Sequence, residues 1–236
     1  MSIYHSRHYK LNEHFFDAWS PAMAYVLGFW FADGYMRVDR SYRISFASND
    51  EQLLLDIRKA IGSTNNIKSD KRDNCFILTV HSKHLYEQLA SLGGHKRKSK
   101  TISLPSMPKE FYRDFIRGYF DGDGSVHLVT YRSTKNHKMR TELRSNFTSG
   151  CAVFLNQLQD FLRHELGMAN KKLGVYNEGA SLKLGYGMGD THKLLNYIYY
   201  PGYTIGLERK AKFAHTFCSQ VITKTPINAF QLVHSF

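Results

Sequence analysis

One short segment occurs twice in this chain, and the repetition constrains the fold more than any other feature. The first copy is VLGFWFADG at residues 26–34, and the second is IRGYFDGDG at residues 116–124. Each copy is largely apolar, has Gly at its third position and ends in Asp-Gly. A chain that carries such a segment twice is best explained as two copies of one fold, joined so that Asp33 and Asp123 meet.

The spacing of small residues within each segment predicts a helix that packs closely on another helix. Gly28 and Ala32 are four positions apart, as are Gly118 and Gly122. Residues at this spacing share one face of a helix. A stripe of small residues on that face lets two helix backbones approach closely. We therefore expect the two segments to pair through Gly28 and Gly118.

The Asp-Gly pair that closes each segment predicts a helix end with an unusual charge. Gly34 and Gly124 indicate C-terminal stops, since Gly adopts the left-handed conformation at little cost. Asp33 and Asp123 then fall in the last helical turn, where the helix dipole disfavours a carboxylate. Two neighbouring carboxylates also repel each other. A divalent cation held by oxygen ligands is the simplest compensation.

Both segments resemble the LAGLIDADG motif of homing endonucleases, in the single-chain form with two motifs. The run GYFDGDG is a close match, and GFWFADG keeps the Gly, the small residue and the final Asp-Gly. The flanking segments also repeat, so the resemblance covers nearly the whole chain. It implies a monomeric, metal-dependent endonuclease that breaks both strands of double-stranded DNA at a long, asymmetric target.

Periodic patterns after each motif predict the same element order in both copies. Alternating runs place Met36, Val38, Val126 and Leu128 on the apolar side of strands, and helical and strand patterns follow in turn. The predicted fold is α+β, with two αββαββα repeats and antiparallel sheets covered by helices on one face. With the resemblance, the open faces would form a DNA-binding saddle, with the motif helices packed at the repeat interface.

Composition and charge set the broad class of protein and its partner. The 236 residues divide into an N-terminal extension (1–20), a first repeat (21–110) and a second repeat with a C-terminal extension (111–236). The formal net charge is +12, and both repeats are basic, which indicates a polyanionic partner. No apolar stretch is long enough for a membrane span, and no signal-peptide pattern is present, so we expect an intracellular protein with no membrane partner.

Strand alternation predicts which side chains face DNA. Residues on the polar side of the strands can hydrogen-bond base edges in the major groove or hold phosphates. In the first repeat the predicted contacts are Tyr35, Arg37, Asp39, Arg43, Ser45, Lys68 and Arg72. In the second repeat they are Ser125, His127, Arg144, Asn146, Thr148, Lys172 and Lys183.

A longer connection distinguishes the second repeat from the first. Residues 131–142 lie between its first two strands and have no equivalent in the first repeat. We expect a mobile hairpin tip that folds onto DNA, since exposed loops commonly carry function. Unequal repeats predict target half-sites of different sequence. The expected DNA contacts in this segment are Tyr131, Arg132, Lys135, Lys138 and Arg140.

The resemblance assigns the metal centre to the motif ends. Hydrolysis of a phosphodiester needs an activated water and neutralised charge at phosphorus, which metal ions held by carboxylates can supply. The family places Mg²⁺ between the two motif Asp residues, here Asp33 and Asp123, with Mn²⁺ as a substitute and Ca²⁺ supporting binding without cleavage. Family members also use the carbonyl before each Asp, which implies Ala32 and Gly122.

The family also places a basic residue near each active site. The runs RKSK (97–100) and RKAK (209–212) hold matching places late in the two repeats, and we assign catalytic roles to Lys98 and Lys210. Asp121 precedes Asp123 by two positions, but its counterpart Phe31 is not acidic. We therefore interpret Asp121 as a helix-end residue that supports the site, not as a metal ligand.

Three other functions use the same kind of fold. An RNA maturase would bind intron RNA and assist splicing of a group I intron. A regulator that binds DNA without cutting would usually have lost the motif Asp residues, and here both are present. An intein would carry splicing residues at its ends. This chain starts Met-Ser and ends His-Ser-Phe, which favours a nuclease that is intron-encoded or free-standing.

Overall fold

A computed structural model describes residues 9–71, 74–176 and 181–219 of the chain. Arg72, a predicted DNA contact, lies outside the described residues. The first repeat contains α1 (Pro21–Asp33), β1 (Gly34–Val38), β2 (Tyr42–Ser48), α2 (Glu51–Ala60), β3 (Ile67–Asp70), β4 (Cys75–His81) and α3 (Lys83–Ser91). The second contains α4 (Tyr112–Asp123), β5 (Gly124–Arg132), β6 (Met139–Ser149), α5 (Ala152–Leu166), β7 (Gly174–Tyr176), β8 (Ser181–Tyr186) and α6 (Met188–Ile198), followed by α7 (Glu208–Ser219).

The predicted α+β fold with two αββαββα repeats is confirmed. The strands form two antiparallel sheets with equivalent orders, β1-β2-β4-β3 and β5-β6-β8-β7. In the first sheet α1, α2 and α3 pack on the strands, and in the second α5, α6 and α7 do so. Short 3-10 helices at Lys98–Lys100 and Lys109–Phe111, and the helix α7, are additions that the repeat pattern did not predict.

Packing divides the chain into two compact units whose limits differ from the sequence repeats. Among the residues that the structure describes, one unit falls within 1–123 and 202–207, and the other falls within 124–201 and 208–236. The motif helix α4 belongs to the first unit because its main partner is α1. The repeat boundaries at residues 20 and 110 stay a prediction based on sequence.

The two motif helices are in backbone contact, as the small residues predicted. A Cβ atom on Gly28 would overlap the carbonyl oxygen of Phe115, and one on Gly118 would overlap that of Tyr25. A Cβ atom on Gly122 would likewise overlap Ala32. No larger side chain fits at these three positions without separating the helices.

The prediction that Gly34 and Gly124 adopt the left-handed conformation is wrong. Gly34 has φ −92° and ψ 158°, and among the residues described the glycines with positive φ are Gly62, Gly93, Gly167 and Gly202. Each motif helix instead leads directly into an extended strand. Gly34 is required by space, since a Cβ there would overlap Trp30.

Two residues predicted for the apolar core are exposed. Met36, Ile44 and Phe46 are buried as expected, but Val38 is 51% exposed and Leu128 is 36% exposed. Both lie on edge strands, β1 and β5. Alternation fixes the side to which a residue points, but it does not ensure that a helix covers that point of the sheet.

The expected hairpin tip of the second repeat is shorter than predicted. Strand β5 ends at Arg132 and β6 begins at Met139, so half of residues 131–142 is paired strand and the turn is limited to residues 133–138. The turn between them is closed by backbone hydrogen bonds from Ser133 to Lys138 and from His137 to Ser133. Longer strands allow regular pairing to continue, and the insertion therefore extends the sheet.

In the part of the chain that the structure covers, no helix is both long and apolar enough to span a bilayer.

Candidate active site and nucleic-acid interface

The motif helices bring the ends that carry Asp33 and Asp123 together. Each Asp is the last residue of its helix. A Cβ atom on Gly122 would lie only 2.8 Å from Oδ2 of Asp33, so the Asp33 carboxylate lies against the last turn of α4, next to Asp123. Asp33 is exposed and Asp123 is half-buried, which leaves this pair of helix ends accessible to a ligand.

Lys98 is a buried cation at the end of α1. Its side chain is 7% exposed, and its Nζ donates to the carbonyl oxygens of Phe31 at 2.9 Å and Ala32 at 3.0 Å. Burial lowers the pKa of Lys98, while the carboxylates of Asp123 and Asp33 oppose that shift. The ammonium group therefore interacts electrostatically with both motif carboxylates.

Lys210 is the matching cation of the second repeat, and it contacts a backbone carbonyl at the start of β5. It is 3% exposed, and its Nζ donates to the carbonyl oxygen of Gly124 at 2.6 Å. The neighbouring lysines are unlike these two, because Lys100 and Lys212 are exposed and Lys212 pairs with Glu208 at 3.1 Å. The structure thus places Lys98 and Lys210, the lysines selected from sequence, at the ends of the two motifs.

Asp121 is turned away from the motif ends. It is 3% exposed, and its Oδ2 accepts hydrogen bonds from the Tyr25 hydroxyl and the Leu207 backbone N–H, both at 2.8 Å. Arg117 is fully buried nearby, donating to Asp114 at 2.7 Å and to the carbonyl oxygen of Ile205 at 2.8 Å. These charges hold residues 203–207 against α4.

The first sheet carries its predicted polar residues on one face. Strand register sets Tyr35 opposite Ser45 and Arg37 opposite Arg43, and these residues line a depression of about 310 Å³ that extends to Asp33. The Asp39 carboxylate pairs with Arg37 at 2.9 Å. Burial opposes ionisation of Asp39, but backbone hydrogen bonds from residues 40 and 41 and the two arginines together lower its pKa. Asp39 therefore orients the arginines.

The second sheet presents an equivalent face. Ser125 is opposite Asn146 and His127 is opposite Arg144. A depression of about 330 Å³ on this sheet is lined by His127, Arg144, Asn146 and Lys183, among others. Burial lowers the pKa of His127, and the positive charges of Lys183 and Arg144 lower it further.

Asn146 departs from the prediction of an exposed contact. It is only 5% exposed, and its amide donates to the hydroxyl of Ser125. Asn146 therefore lines the depression with its amide already bonded to the cross-strand Ser125 hydroxyl.

The remaining predicted contacts are accessible. Thr148 is half-buried on β6, opposite Lys183. Tyr131 donates a hydrogen bond to Glu142, and its ring lies 5.5 Å from the Arg144 guanidinium. The exposed members are Lys68, Arg132, Lys135, Lys138, Arg140 and Lys172.

Sequence reasoning missed polar residues on β4 and acidic residues that orient arginines. Thr79 shares the face of Ser45, with their hydroxyl oxygens 3.0 Å apart, and His81 bonds Ser41 at 2.9 Å. The alternation of apolar Leu78 and Val80 with Thr79 and His81 could have predicted these residues from the sequence. The two apolar side chains are buried, so the residues between them must face the other side of the sheet. Glu142, which pairs with Arg144 at 3.3 Å, carries no such signal, because its role depends on strand register.

Comparisons with known proteins agree with this architecture. The LAGLIDADG-like domain family matches residues 20–93 and 110–181. The chain is 31% identical over 123 residues to the DNA-directed RNA polymerase subunit Rpo1C of Methanocaldococcus jannaschii, a match that covers 48% of this chain but only 14% of that protein.

Two solved structures share the fold at low sequence identity. The I-LtrWI LAGLIDADG homing endonuclease bound to target DNA superposes with a TM-score of 0.58 at 13% identity, covering 90% of this chain and 92% of that one. I-SmaMI bound to an uncleaved DNA target in the presence of calcium ions gives 0.60 at 15% identity, covering 89% and 95%. The chain therefore belongs to the LAGLIDADG family, and its two repeats have the fold of single-chain LAGLIDADG homing endonucleases.

Proposed function

We propose that this chain is a site-specific DNA endonuclease that makes a double-strand break by metal-dependent hydrolysis at a long, asymmetric target. The observation that carries the proposal is the closeness of the two motif ends. The Asp33 carboxylate lies against the last turn of α4. Both Asp33 and Asp123 favour the charged form of Lys98. Because one chain supplies both motifs, a monomer suffices.

The motif ends offer the donor set of a hard divalent cation. Carboxylates of Asp33 and Asp123, with the carbonyl oxygens of Ala32 and Gly122, are the oxygen ligands that Mg²⁺ prefers. The Ala32 carbonyl already accepts one hydrogen bond from Lys98, and its second lone pair stays available. When bound, Mg²⁺ would neutralise charge at phosphorus and increase the acidity of a bound water.

The two buried lysines position the motif ends. Lys98 fixes the carbonyl that precedes Asp33, and Lys210 fixes the carbonyl that follows Asp123. Their low exposure restricts the side-chain freedom that a surface lysine keeps. Each also contributes a fixed positive charge close to the place where a phosphate anion would bind.

Each polar sheet face provides the contacts for one half of a DNA target. The arginines beside Asp39 and Glu142 are held in place, and a fixed guanidinium can read guanine or grip a phosphate with two parallel hydrogen bonds. The second face is longer because β5 and β6 extend into the basic segment 131–142. Solved neighbours with this fold are bound to DNA, which supports the same partner here.

The test is cleavage by the parent protein and by Asp33→Asn and Asp123→Asn variants. Duplexes that the parent cuts are first selected from a randomised library in Mg²⁺. An amide is a weaker cation ligand than a carboxylate, so each variant should lose double-strand cleavage by about a hundredfold or more. Affinity for the selected duplex in Ca²⁺ should persist, and the melting temperature should hold or rise, because each change relieves carboxylate repulsion.

Asp160→Asn is a matched control, because Asp160 is an exposed carboxylate on α5 that pairs only loosely with Arg163, at 3.3 Å. It should cut like the parent. If Asp33→Asn or Asp123→Asn cuts both strands at near the parent rate, the paired-carboxylate mechanism is wrong. If selection in Ca²⁺ recovers bound duplexes that neither Mg²⁺ nor Mn²⁺ causes the parent to cut, the chain is a DNA-binding regulator.

A further inference from the structure

A compact group of two histidines and one aspartate lies outside the motif ends. The Asp17 carboxylate lies between two imidazoles, with Oδ2 2.6 Å from Nδ1 of His14 and Oδ1 2.7 Å from Nε2 of His84. The two rings are tilted, with centroids 4.7 Å apart. One ligand atom from each residue lies within 4.8 Å of the others.

The fold brings these residues together from distant parts of the sequence. His14 and Asp17 belong to the turn that precedes α1, whereas His84 lies in the first turn of α3. Ser82 caps α3 and donates to Glu13 at 2.7 Å, so the two segments already contact each other beside the histidines. The position of His84 is therefore set by a capped helix.

The N-terminal segment is also anchored independently of the histidines. The backbone N–H of Lys10 donates to the Thr64 hydroxyl at 2.9 Å, and the backbone N–H of Asn12 donates to the carbonyl oxygen of Ile61 at 3.0 Å. Phe16 is 3% exposed between the candidate ligands His14 and Asp17. The cluster is thus built on a fixed backbone, while the His14 ring stays 76% exposed and open to solvent.

We propose that His14, Asp17 and His84 form a second metal site, which binds a transition-metal ion of the Zn²⁺ class. Two imidazole nitrogens and one carboxylate are characteristic ligands of Zn²⁺ and its neighbours, whereas Mg²⁺ prefers oxygen donors alone. This site is therefore chemically distinct from the oxygen ligands at Asp33 and Asp123.

The side chains must rearrange to accept such an ion, because the ligand atoms now lie up to 4.8 Å apart. Tetrahedral Zn²⁺ with bonds of about 2.0–2.1 Å holds its ligand atoms about 3.3 Å apart. The carboxylate–imidazole distances of 2.6 and 2.7 Å must therefore open by several tenths of an ångström. Rotation of the exposed His14 side chain can provide that space, and water would complete the coordination.

A bound ion would link the segment before α1 to α3. The segment ends at Ser20, whose hydroxyl caps α1 by accepting from the Met23 N–H at 3.1 Å. An ion that binds only the folded chain stabilises it by mass action, so saturating Zn²⁺ should raise the melting temperature by roughly 5 °C. The proposed role is structural, at the entrance to the first motif helix.

The test uses untagged protein with Asp33→Asn and Asp123→Asn, which removes the oxygen-ligand site as a competing binder. Zn²⁺ is titrated by calorimetry, and Co²⁺ is titrated by visible absorption, which reports nitrogen and oxygen ligands directly. We expect one equivalent to bind, together with the rise in melting temperature. His14→Gln and His84→Gln should each weaken binding by about tenfold or more, while His164→Gln, an exposed histidine on α5, should leave it unchanged.

Three results would overturn the proposal. One is stoichiometric Zn²⁺ binding that the double variant His14→Gln/His84→Gln leaves intact, because the ion would then be elsewhere. Another is a Co²⁺ spectrum identical in parent and variants. The third is the absence of any binding at metal concentrations well above that of the protein. None of these measurements uses DNA, so they are independent of the endonuclease proposal.

Discussion

The two motif helices share a backbone arrangement but differ in what surrounds it. Helix α1 buries an uninterrupted apolar run from Met23 to Phe31. Helix α4 is buried over the equivalent stretch, yet it carries Asp114, Arg117 and Asp121, each at most 3% exposed. At the matching positions α1 has Ala24, Leu27 and Phe31.

The difference separates what the repeat requires from what one copy has added. Gly28 and Gly118 are common to both helices because each backbone lies against the other. The charged residues of α4 bind residues 203–207. Arg117 donates to the Ile205 carbonyl oxygen and lies 4.9 Å from the Tyr203 ring, and Asp121 accepts from the Leu207 backbone N–H. Residues common to both motif helices therefore form the helix contact that brings the motif ends together, whereas residues found only in α4 pack against a neighbouring segment.

Breaking the charged group of α4 should have the largest effect on stability. Arg117→Leu introduces the residue that α1 has, but it leaves the Asp114 carboxylate buried without its closest cation. We expect a loss of about 3–5 kcal/mol in the free energy of unfolding, measured by urea denaturation, because removing one partner of a buried ion pair leaves an uncompensated charge. Leu27→Met, the matched change in α1, should cost less than about 1.5 kcal/mol.

The double variant Asp114→Ala/Arg117→Leu sharpens the same comparison. It gives α4 the pair of residues that α1 has, removes the stranded carboxylate and should recover part of the loss. If Arg117→Leu is no more destabilising than Leu27→Met, the buried charges of α4 contribute nothing that an apolar pair does not.

Sequence reasoning recovered the parts of this molecule that depend on short-range periodicity. The element order followed because helical and strand patterns repeat locally, and the close helix contact followed because Gly at i and i+4 has a direct steric meaning. The core positions of Val38 and Leu128 were wrong because burial depends on which helix covers a strand end. The carbonyl partners of Lys98 and the Ile205 carbonyl that Arg117 contacts could not be predicted, since only the tertiary fold brings these backbone groups near.

The two buried lysines provide a second comparison, with an intermediate expected effect. Lys98→Met should slow cleavage by about a hundredfold, the usual effect of losing a positioned donor near developing charge. It also releases the Ala32 carbonyl, a proposed metal ligand. Lys210→Met releases the Gly124 carbonyl, which lies beyond Asp123, and should slow cleavage less. Both effects are measured by following the appearance of nicked and linear plasmid with time, with labels that identify which strand is cut.

The exposed neighbours supply the controls for this comparison. Lys100→Met and Lys212→Met should stay within about twofold of the parent, because surface substitutions rarely exceed half a kcal/mol. If these variants lose as much activity as Lys98→Met, the lysines act through general charge and not through their contacts with the motif ends. Equal losses for Lys98→Met and Lys210→Met would contradict the different roles assigned to their two carbonyls.

The smallest expected effect distinguishes the two sheet faces by pH. Arg37 and His127 hold equivalent positions on β1 and β5, but only His127 can lose its charge near neutrality. In the free protein its pKa lies below the ordinary value of 6.5, so His127 is mostly neutral at pH 7. A nearby phosphate favours the protonated form. DNA affinity should therefore rise by less than about tenfold as pH falls from the pKa of His127 in the complex to its lower pKa in the free protein, and should not change above the first of these.

His127→Arg tests this assignment by giving the second face the permanent charge of the first. It should remove the pH-dependent part of binding, strengthen binding near pH 8 and steepen the salt dependence by about one counterion. His127→Gln should abolish the gain at low pH without adding affinity. Melting curves are recorded in parallel, because the lowered pKa also means that folding stability is full above the ordinary value and declines as pH falls below it. If His127→Gln keeps the low-pH gain, another group is titrating. The two faces would then differ in length and sequence, and His127 would contribute no switchable charge to DNA binding.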